Sequence, residues 1–155
     1  LTDDPMLWAC VEINKPVIIS TGMSTPDEIE RAVLILRNMK KKLTLLHCNS
    51  TYPTPMNEVN LRCINTLKMY GAAVGYSGHE EGINATIASV CLGAEIIERH
   101  ITLDKAMWGT DQSSSLEPQE LKKLVLGVRE IEQALGDGKI GVTKSEEIVR
   151  EKLRV

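Results

Sequence analysis

The sequence predicts an α/β fold built from repeating parallel βα units. Short apolar runs alternate with helical segments along the chain, and four such runs can be counted. The spacing between them is about 25–30 residues, the length of one βα unit. The runs are continuous rather than alternating in polarity, which is typical of parallel strands. Four units make either a small open sheet or one half of an eight-stranded (β/α)₈ barrel.

A helix and a strand open the chain. Residues 4–13 suit a short helix that has Asp4 as its N-cap and Pro5 at its first position. Residues 16–20 (PVIIS) follow as a strand that we expect to be buried on both faces, because the run shows no polar alternation.

The second helix has a clear start signal. Thr25 can cap it, and Glu28 completes a capping box. We expect this helix to end at Lys40–Lys42, where positive charge suits the helix dipole. Residues 43–48 (LTLLHC) form the next strand. His47 lies within that run, so we interpret it as a core histidine rather than a ligand.

The rest of the chain repeats the pattern. Strands are expected over 72–76 and 94–97, and helices over 57–70, 83–92, 117–135 and 145–153. The helix that starts at Glu117 has an apolar stripe from Leu121 to Leu135, and Gly136 ends it.

Composition restricts the class of protein. Hydrophobic residues make up 43%, charged residues 25%, and the net charge is −3. No basic block favours nucleic acid, and no apolar run has the length of a membrane span. We see no signal-peptide pattern and four scattered cysteines, so we expect a cytoplasmic protein with reduced thiols. The chain starts at Leu1 rather than Met, and we expect it to be part of a longer polypeptide.

Polar side chains follow all four predicted strands. The carboxyl ends of parallel strands converge on the ligand in α/β proteins, so these side chains should meet. Hydroxyls and backbone N–H groups beside glycine bind phosphate oxygens, which predicts a small polyoxygenated or phosphorylated ligand. The residues are Ser20, Thr21, Asn49, Ser50, Thr51, Tyr52, Ser77, His79, Glu80, His100, Thr102 and, further along, Asp111.

Two of these residues suggest a metal. His79 and His100 follow neighbouring predicted strands, and two neutral imidazoles are a partial site for a divalent ion. Their spacing matches no compact metal motif, so two unconnected structural histidines remain the alternative. Asp111 could equally be a turn residue.

Five motifs occur in order along nearly the whole chain. They are KPVIISTGM (15–23), LLHCNSTYPTP (45–55), GYSGHE (75–80), ERHITLD (98–104) and GTDQSSSLEP (109–118). Together they resemble the sialic acid synthases, the phosphoenolpyruvate-dependent N-acetylneuraminate synthase family. The resemblance implies a TIM barrel followed by a small antifreeze-like domain. Residues 1–138 would be the barrel's strands five to eight, a parallel (β/α)₄ half, and 139–155 the charged start of a linker.

The resemblance also implies roles for individual residues. His79 and His100 would bind Mn²⁺ or Mg²⁺, and they would form the catalytic set with Asp111. Contacts with phosphoenolpyruvate and an N-acetylated amino sugar would come from Ser20, Asn49, Ser50, Tyr52, Ser77 and Asp111. The family's catalytic glutamates and two phosphate-binding lysines would belong to the missing half.

The implied reaction is a metal-dependent condensation, by a transferase that forms a C–C bond. Phosphoenolpyruvate and N-acetylmannosamine would give N-acetylneuraminic acid and phosphate. Legionaminic and pseudaminic acid synthases would apply the same chemistry to diamino-dideoxy sugars. A different class stays open, a non-catalytic half-barrel that pairs with a partner, because half a barrel leaves strand edges unpaired. We expect no activity from the isolated chain, and a homodimer from the full-length protein.

Overall fold

The computed structural model describes residues 1–37 and 43–154. Four parallel strands form one curled sheet, half of a barrel, in the order β1-β2-β3-β4. The strands are β1 Val17–Ser20, β2 Leu43–Cys48, β3 Ala73–Gly78 and β4 Ile96–Arg99. The predicted α/β class with a parallel (β/α)₄ sheet is therefore confirmed, although β3 and β4 both end two residues later than predicted.

Helices precede β1 and follow each strand. They are α1 Asp4–Ile13, α2 Pro26–Leu36, α3 Cys63–Leu67, α4 Asn84–Cys91, α5 Pro118–Leu135 and α6 Lys144–Leu153. None of the helices within the described ranges combines the length and the apolar character that a membrane crossing requires.

The predicted start of α1 is wrong by one residue. The side chain of Asp3, not Asp4, accepts a hydrogen bond from the Met6 N–H at 3.0 Å, so Asp3 is the N-cap and Pro5 follows at the second helical position. At the start of α2, the predicted capping box between Thr25 and Glu28 is present. The predicted end of that helix at Lys40–Lys42 lies outside the described residues.

The helix predicted over 57–70 is also wrong as a single element. A 3₁₀ turn at Met56–Glu58, α3 itself and a second 3₁₀ turn at Lys68–Tyr70 occupy that range. Asn60 has a φ of 46°, and a left-handed residue cannot continue a right-handed helix. Gly71, with a φ of 70°, ends the segment as predicted.

The core lies between the sheet and the helices. It contains Ile29, Leu45, Val59, Ile64, Leu67, Val74 and Tyr76. The expectation that β1 is buried on both faces is wrong: Ile18 is 52% exposed, and Ser20 is exposed as well. β1 is one of the two edge strands of the sheet, and only its alternate residues, Val17 and Ile19, point into the helical layer. The apolar stripe of α5 is only partly covered. Leu124 is buried, Val125 and Leu135 are exposed, and the remaining members, Leu121, Val128 and Ile131, are half-buried.

Candidate functional site

Strand register decides which side chains share the carboxyl edge of the sheet. Cys48 of β2 pairs with Ser77 of β3, and Ser77 pairs with Glu98 of β4. These three side chains form what we call the strand-end row, on the face away from the helical core. Ser20 pairs with Leu46, two residues before Cys48. It therefore lies on the same face as the strand-end row but two residues further from the carboxyl edge.

The two histidines lie side by side above this row. His79 follows β3 and is 5% exposed, whereas the His100 side chain follows β4 and is 36% exposed. Their ring centroids are 5.2 Å apart with the planes at 90°. The sequence predicted this proximity from the two neighbouring strand ends. Whether both rings bind one metal ion stays a prediction.

Hydrogen bonds set the tautomer of His79. Its Nδ1 lies 2.6 Å from the backbone carbonyl oxygen of Asn49, which can only accept, so Nδ1 carries the proton. The neutral ring then keeps its lone pair on Nε2. In metal-binding histidines, one ring nitrogen typically donates to a backbone carbonyl in this way, and the other nitrogen binds the metal.

Tyr52 is packed against both histidines. Its ring stacks on His79 with centroids 4.2 Å apart and meets His100 edge-on at 5.4 Å. Its hydroxyl donates to His79 Nε2 at 3.1 Å. Partial burial raises the pKa of the Tyr52 phenol, with smaller effects from nearby acidic groups, so it remains a hydrogen-bond donor at neutral pH. The Tyr52–Pro53 peptide bond is cis.

The amide of Asn49 is used within its own loop. Its Oδ1 accepts hydrogen bonds from the Thr51 N–H at 2.9 Å and from Thr51 Oγ1 at 2.7 Å, and its Nδ2 donates to the Glu58 carbonyl. Ser50 instead lies against Gly22 in the loop after β1. The proposed substrate contacts of Asn49 and Ser50 stay predictions, but the side chain of Ser50 has fewer partners in the protein.

Asp111 faces the second histidine. Its Oδ2 lies 3.7 Å from His100 Nδ1, longer than a hydrogen bond, and its Oδ1 accepts from Thr110 Oγ1 at 2.7 Å. The long loop after β4 thus returns to the strand ends. Asp111 therefore lies beside the His100 ring without a hydrogen bond to it, and its contact with a sugar stays a prediction.

Sequence reasoning missed Glu98. Its carboxylate accepts a hydrogen bond from Ser77 Oγ at 2.7 Å, inside the strand-end row. Alternation along β4 could have identified it, because a residue two positions before His100 points to the same face. A carboxylate in the strand-end row adds both a hydrogen-bond acceptor and a candidate proton acceptor to this edge of the sheet.

Two other polar residues belong to the core. His47 donates from Nε2 to the Val59 carbonyl oxygen at 2.7 Å and is buried, which confirms the interpretation of it as a core histidine. Glu80, predicted at the strand-end edge, turns into the helical layer and pairs with Arg99. It follows His79 directly and so points the opposite way.

The chain is similar to known proteins over nearly its whole length. A family model described as NeuB family matches residues 1–140. The chain is 47% identical to an N,N'-diacetyllegionaminic acid synthase of Campylobacter jejuni, over 99% of this chain and 48% of that protein. It is 43% identical to the N-acetylneuraminate-9-phosphate synthase of Homo sapiens, over 85% of this chain and 37% of that protein.

The fold is also similar to that of a synthetase whose crystal structure is known. The N-acetylneuraminic acid (sialic acid) synthetase of Leptospira borgpetersenii, in complex with citrate, superposes with a TM-score of 0.86 at 41% identity. The match covers 98% of this chain and 55% of that one. The chain therefore spans between 37% and 55% of the length of these three relatives.

Proposed function

This chain belongs to the NeuB family, and we propose that it is the carboxyl-terminal half of a synthase barrel that makes a sialic-acid-type sugar acid. The substrates would be phosphoenolpyruvate and N-acetylmannosamine, and the products N-acetylneuraminic acid and phosphate. The observation that carries the proposal is the pair of adjacent imidazoles, His79 and His100, whose ring centroids lie 5.2 Å apart at the carboxyl edge of a parallel sheet. Family membership and the synthase names of the relatives support it.

The donor set fits a divalent metal ion, which we propose to be Mn²⁺ or Mg²⁺. His79 presents Nε2 with its tautomer held by the Asn49 carbonyl, and His100 lies beside it. Within residues 1–37 and 43–154, no three His, Cys, Asp or Glu side chains converge as a complete metal site. Two imidazoles would hold the ion, and the remaining ligands would come from water and substrates. When bound, the ion would supply Lewis-acid polarisation of the sugar aldehyde.

The chain's own residues would bind the reactants and move protons. In the reaction, C3 of phosphoenolpyruvate would form a bond to the aldehyde carbon, whose C=O π bond opens to a hydroxyl. Water would add to C2, and its released proton balances the one taken by that hydroxyl. The C–O bond to phosphate would then break as C2 becomes a ketone and its hydroxyl proton leaves with the phosphate. Ser20 would donate its hydroxyl hydrogen to phosphoenolpyruvate. Ser77 would do so only after releasing Glu98, to which it donates its single hydroxyl hydrogen in this structure. The Glu98 carboxylate would accept a proton from the water that adds, since it lies at the same edge of the sheet as Ser77.

The sugar-binding side would be formed by the Tyr52 loop and Asp111. Tyr52 offers a protonated phenol at the mouth of the site, next to both imidazoles. A diamino-dideoxy sugar is the second candidate substrate, and the 47% identity to a legionaminic acid synthase favours it. We also propose that the full-length protein is a cytoplasmic homodimer, with residues 1–138 in the barrel and 139–155 in a linker.

The test uses the full-length protein and both sugars. Purified protein is incubated with phosphoenolpyruvate, Mn²⁺ and either N-acetylmannosamine or the diamino-dideoxy sugar, and the sugar acid is identified by mass spectrometry. We expect His79→Ala and His100→Ala each to abolish product formation, while His47→Leu, a core control, retains it. Wild-type turnover in either histidine variant would contradict the proposal. The isolated 155-residue chain is expected to form no product.

A further inference from the structure

We propose that Arg99 and Glu80 are positioning residues, a buried pair that holds the three segments carrying His79, His100 and Asp111 in one arrangement. The inference rests on the proposed function of those residues as a metal and substrate site. Glu80 follows His79 directly in the chain, and Arg99 precedes His100. The pair therefore joins the two strand ends at the positions next to the imidazoles.

The pair is buried on the opposite side of the sheet from the strand-end row. The side chains of Arg99 and Glu80 are 2% and 0% exposed, and Arg99 Nη1 lies 3.2 Å from Glu80 Oε1. Tyr76 donates its hydroxyl hydrogen to Glu80 Oε2 at 2.8 Å. Buried charges are expensive unless they are paired and hydrogen-bonded. The carboxylate and both terminal guanidinium nitrogens have partners here, whereas the buried Arg99 Nε has none among the described residues.

The guanidinium also binds the backbone of the loop after His79. Nη2 of Arg99 donates to the Glu80 carbonyl oxygen at 2.8 Å, and Nη1 donates to the Gly82 carbonyl oxygen at 2.8 Å. Nη1 also donates to Thr86 Oγ1 of α4 at 2.7 Å, and Thr86 in turn donates to Glu80 Oε1 at 2.7 Å. One side chain of β4 thus holds the exit of β3 and the start of α4.

The same guanidinium reaches the turn that carries Asp111. Nη2 of Arg99 donates to the Ser114 carbonyl oxygen at 3.3 Å, and the Ser114 N–H donates to the Asp111 carbonyl oxygen at 3.2 Å. The three site residues lie on separate loops, and Arg99 contacts the loops of His79 and Asp111 from the residue that precedes His100.

Only arginine can make this set of contacts. The planar guanidinium carries five N–H donors in fixed directions on three nitrogen atoms, whereas the three N–H donors of lysine all lie on one nitrogen atom. The pair cannot act on substrate directly, since it is closed off beneath the sheet edge. The pair can influence metal binding only by fixing the distance between the two imidazole rings. Small displacements of ligating groups weaken a metal site.

The experiment measures binding of Mn²⁺ alone to the full-length protein by electron paramagnetic resonance of the free ion. Arg99→Lys keeps the positive charge but loses the planar guanidinium and its fixed N–H donors. Glu80→Gln keeps the shape of the side chain but loses its negative charge. For both variants we expect the Kd for Mn²⁺ to rise about 10- to 100-fold, the usual effect of removing a residue that orients metal ligands. Circular dichroism establishes that each variant is folded.

A matched control removes a hydrogen bond from the same layer without touching the pair. Ser89 Oγ donates to the Thr86 carbonyl oxygen at 2.6 Å and is buried, so Ser89→Ala loosens α4 while leaving the guanidinium contacts in place. We expect it to bind Mn²⁺ as the wild type does. Folded Arg99→Lys or Glu80→Gln protein with wild-type affinity would overturn the proposal, and so would an equal loss in Ser89→Ala.

Two further measurements keep the test decisive. If a charge variant does not fold, Thr86→Val takes its place, because it keeps the side-chain shape and removes one acceptor of the guanidinium. It must weaken Mn²⁺ binding, and unchanged affinity would refute the positioning role of the pair. If the wild type binds no Mn²⁺, the proposed function fails instead. The pair is then judged on metal-free protein, where Arg99→Lys should shift the imidazole NMR resonances of both His79 and His100, and unshifted resonances would refute it.

Discussion

Replacement of Tyr52 by phenylalanine should make metal binding tighter. The Tyr52 hydroxyl donates to His79 Nε2 at 3.1 Å, which is the nitrogen that we assign to the metal. An ion that binds there must first displace this hydroxyl. Tyr52→Phe removes the competing hydrogen bond but keeps the ring that stacks on His79 at a centroid distance of 4.2 Å. The orientation of the imidazole, set by the Asn49 carbonyl, should be unchanged.

The size of the effect follows from the strength of one hydrogen bond. A net contribution of about 0.5–1.5 kcal/mol is usual for such a bond in a protein. Since 1.4 kcal/mol corresponds to a tenfold change in affinity, the Kd for Mn²⁺ should fall by about 2- to 12-fold. The raised pKa of the Tyr52 phenol means that the wild type retains this competition throughout the neutral range.

Isothermal titration of the metal-free full-length protein with Mn²⁺, in the absence of substrates, measures this change. Tyr70→Phe is the control, because the Tyr70 hydroxyl donates to the Pro26 carbonyl at 3.3 Å, in a contact that involves none of the site residues. Weaker Mn²⁺ binding by Tyr52→Phe would refute the reasoning, since the hydroxyl would then support the ion rather than compete with it.

Three more predictions concern stability. Gly75→Ala should destabilise the full-length protein by about 1–3 kcal/mol in urea unfolding, since the added Cβ would lie 2.5 Å from the Ile96 carbonyl oxygen of the paired strand. His47→Leu should cost about 1–3 kcal/mol by leaving a buried carbonyl without its donor, with Mn²⁺ affinity unchanged. Hydrogen bonds from the Thr25 N–H and hydroxyl lower the pKa of Glu28 below 4.5. The stability gap between wild type and Glu28→Gln should therefore be present above pH 4.5 and shrink as pH falls through the lowered value.

Each of these has its own check. Gly141→Ala places a Cβ where no atom lies within 4 Å, so it should unfold like the wild type. A Gly75→Ala protein as stable as that control would show that the β3–β4 contact can relax. Loss of Mn²⁺ binding in folded His47→Leu protein would return His47 to the ligand candidates. If the stability difference between the wild type and Glu28→Gln grew as the pH fell, the direction of the Glu28 pKa shift would be contradicted.

Most of the fold is predictable because its causes are local. Apolar runs, the Thr25 cap and Gly71 act within a few residues, and they correctly placed the order of the strands and most of the helices. The segment after β2 is different. Its single predicted helix is interrupted at Asn60, and the Val59 carbonyl just before it is held by His47 from a neighbouring strand. A contact between distant parts of the chain has no local pattern that predicts it.

The same distinction applies to the site. Chain order and the rule that parallel strands converge at their carboxyl ends are enough to predict that His79 and His100 lie together. Which face each polar side chain takes depended on where the strands end, and β3 and β4 end two residues later than predicted. The longer β4 includes Glu98 and presents it on the site face, whereas Glu80 lies beyond the end of β3 and is held in the core by Arg99. Residue types and order are written in the sequence, whereas register, tautomer and burial are settled only when strands from distant parts of the chain pack against each other.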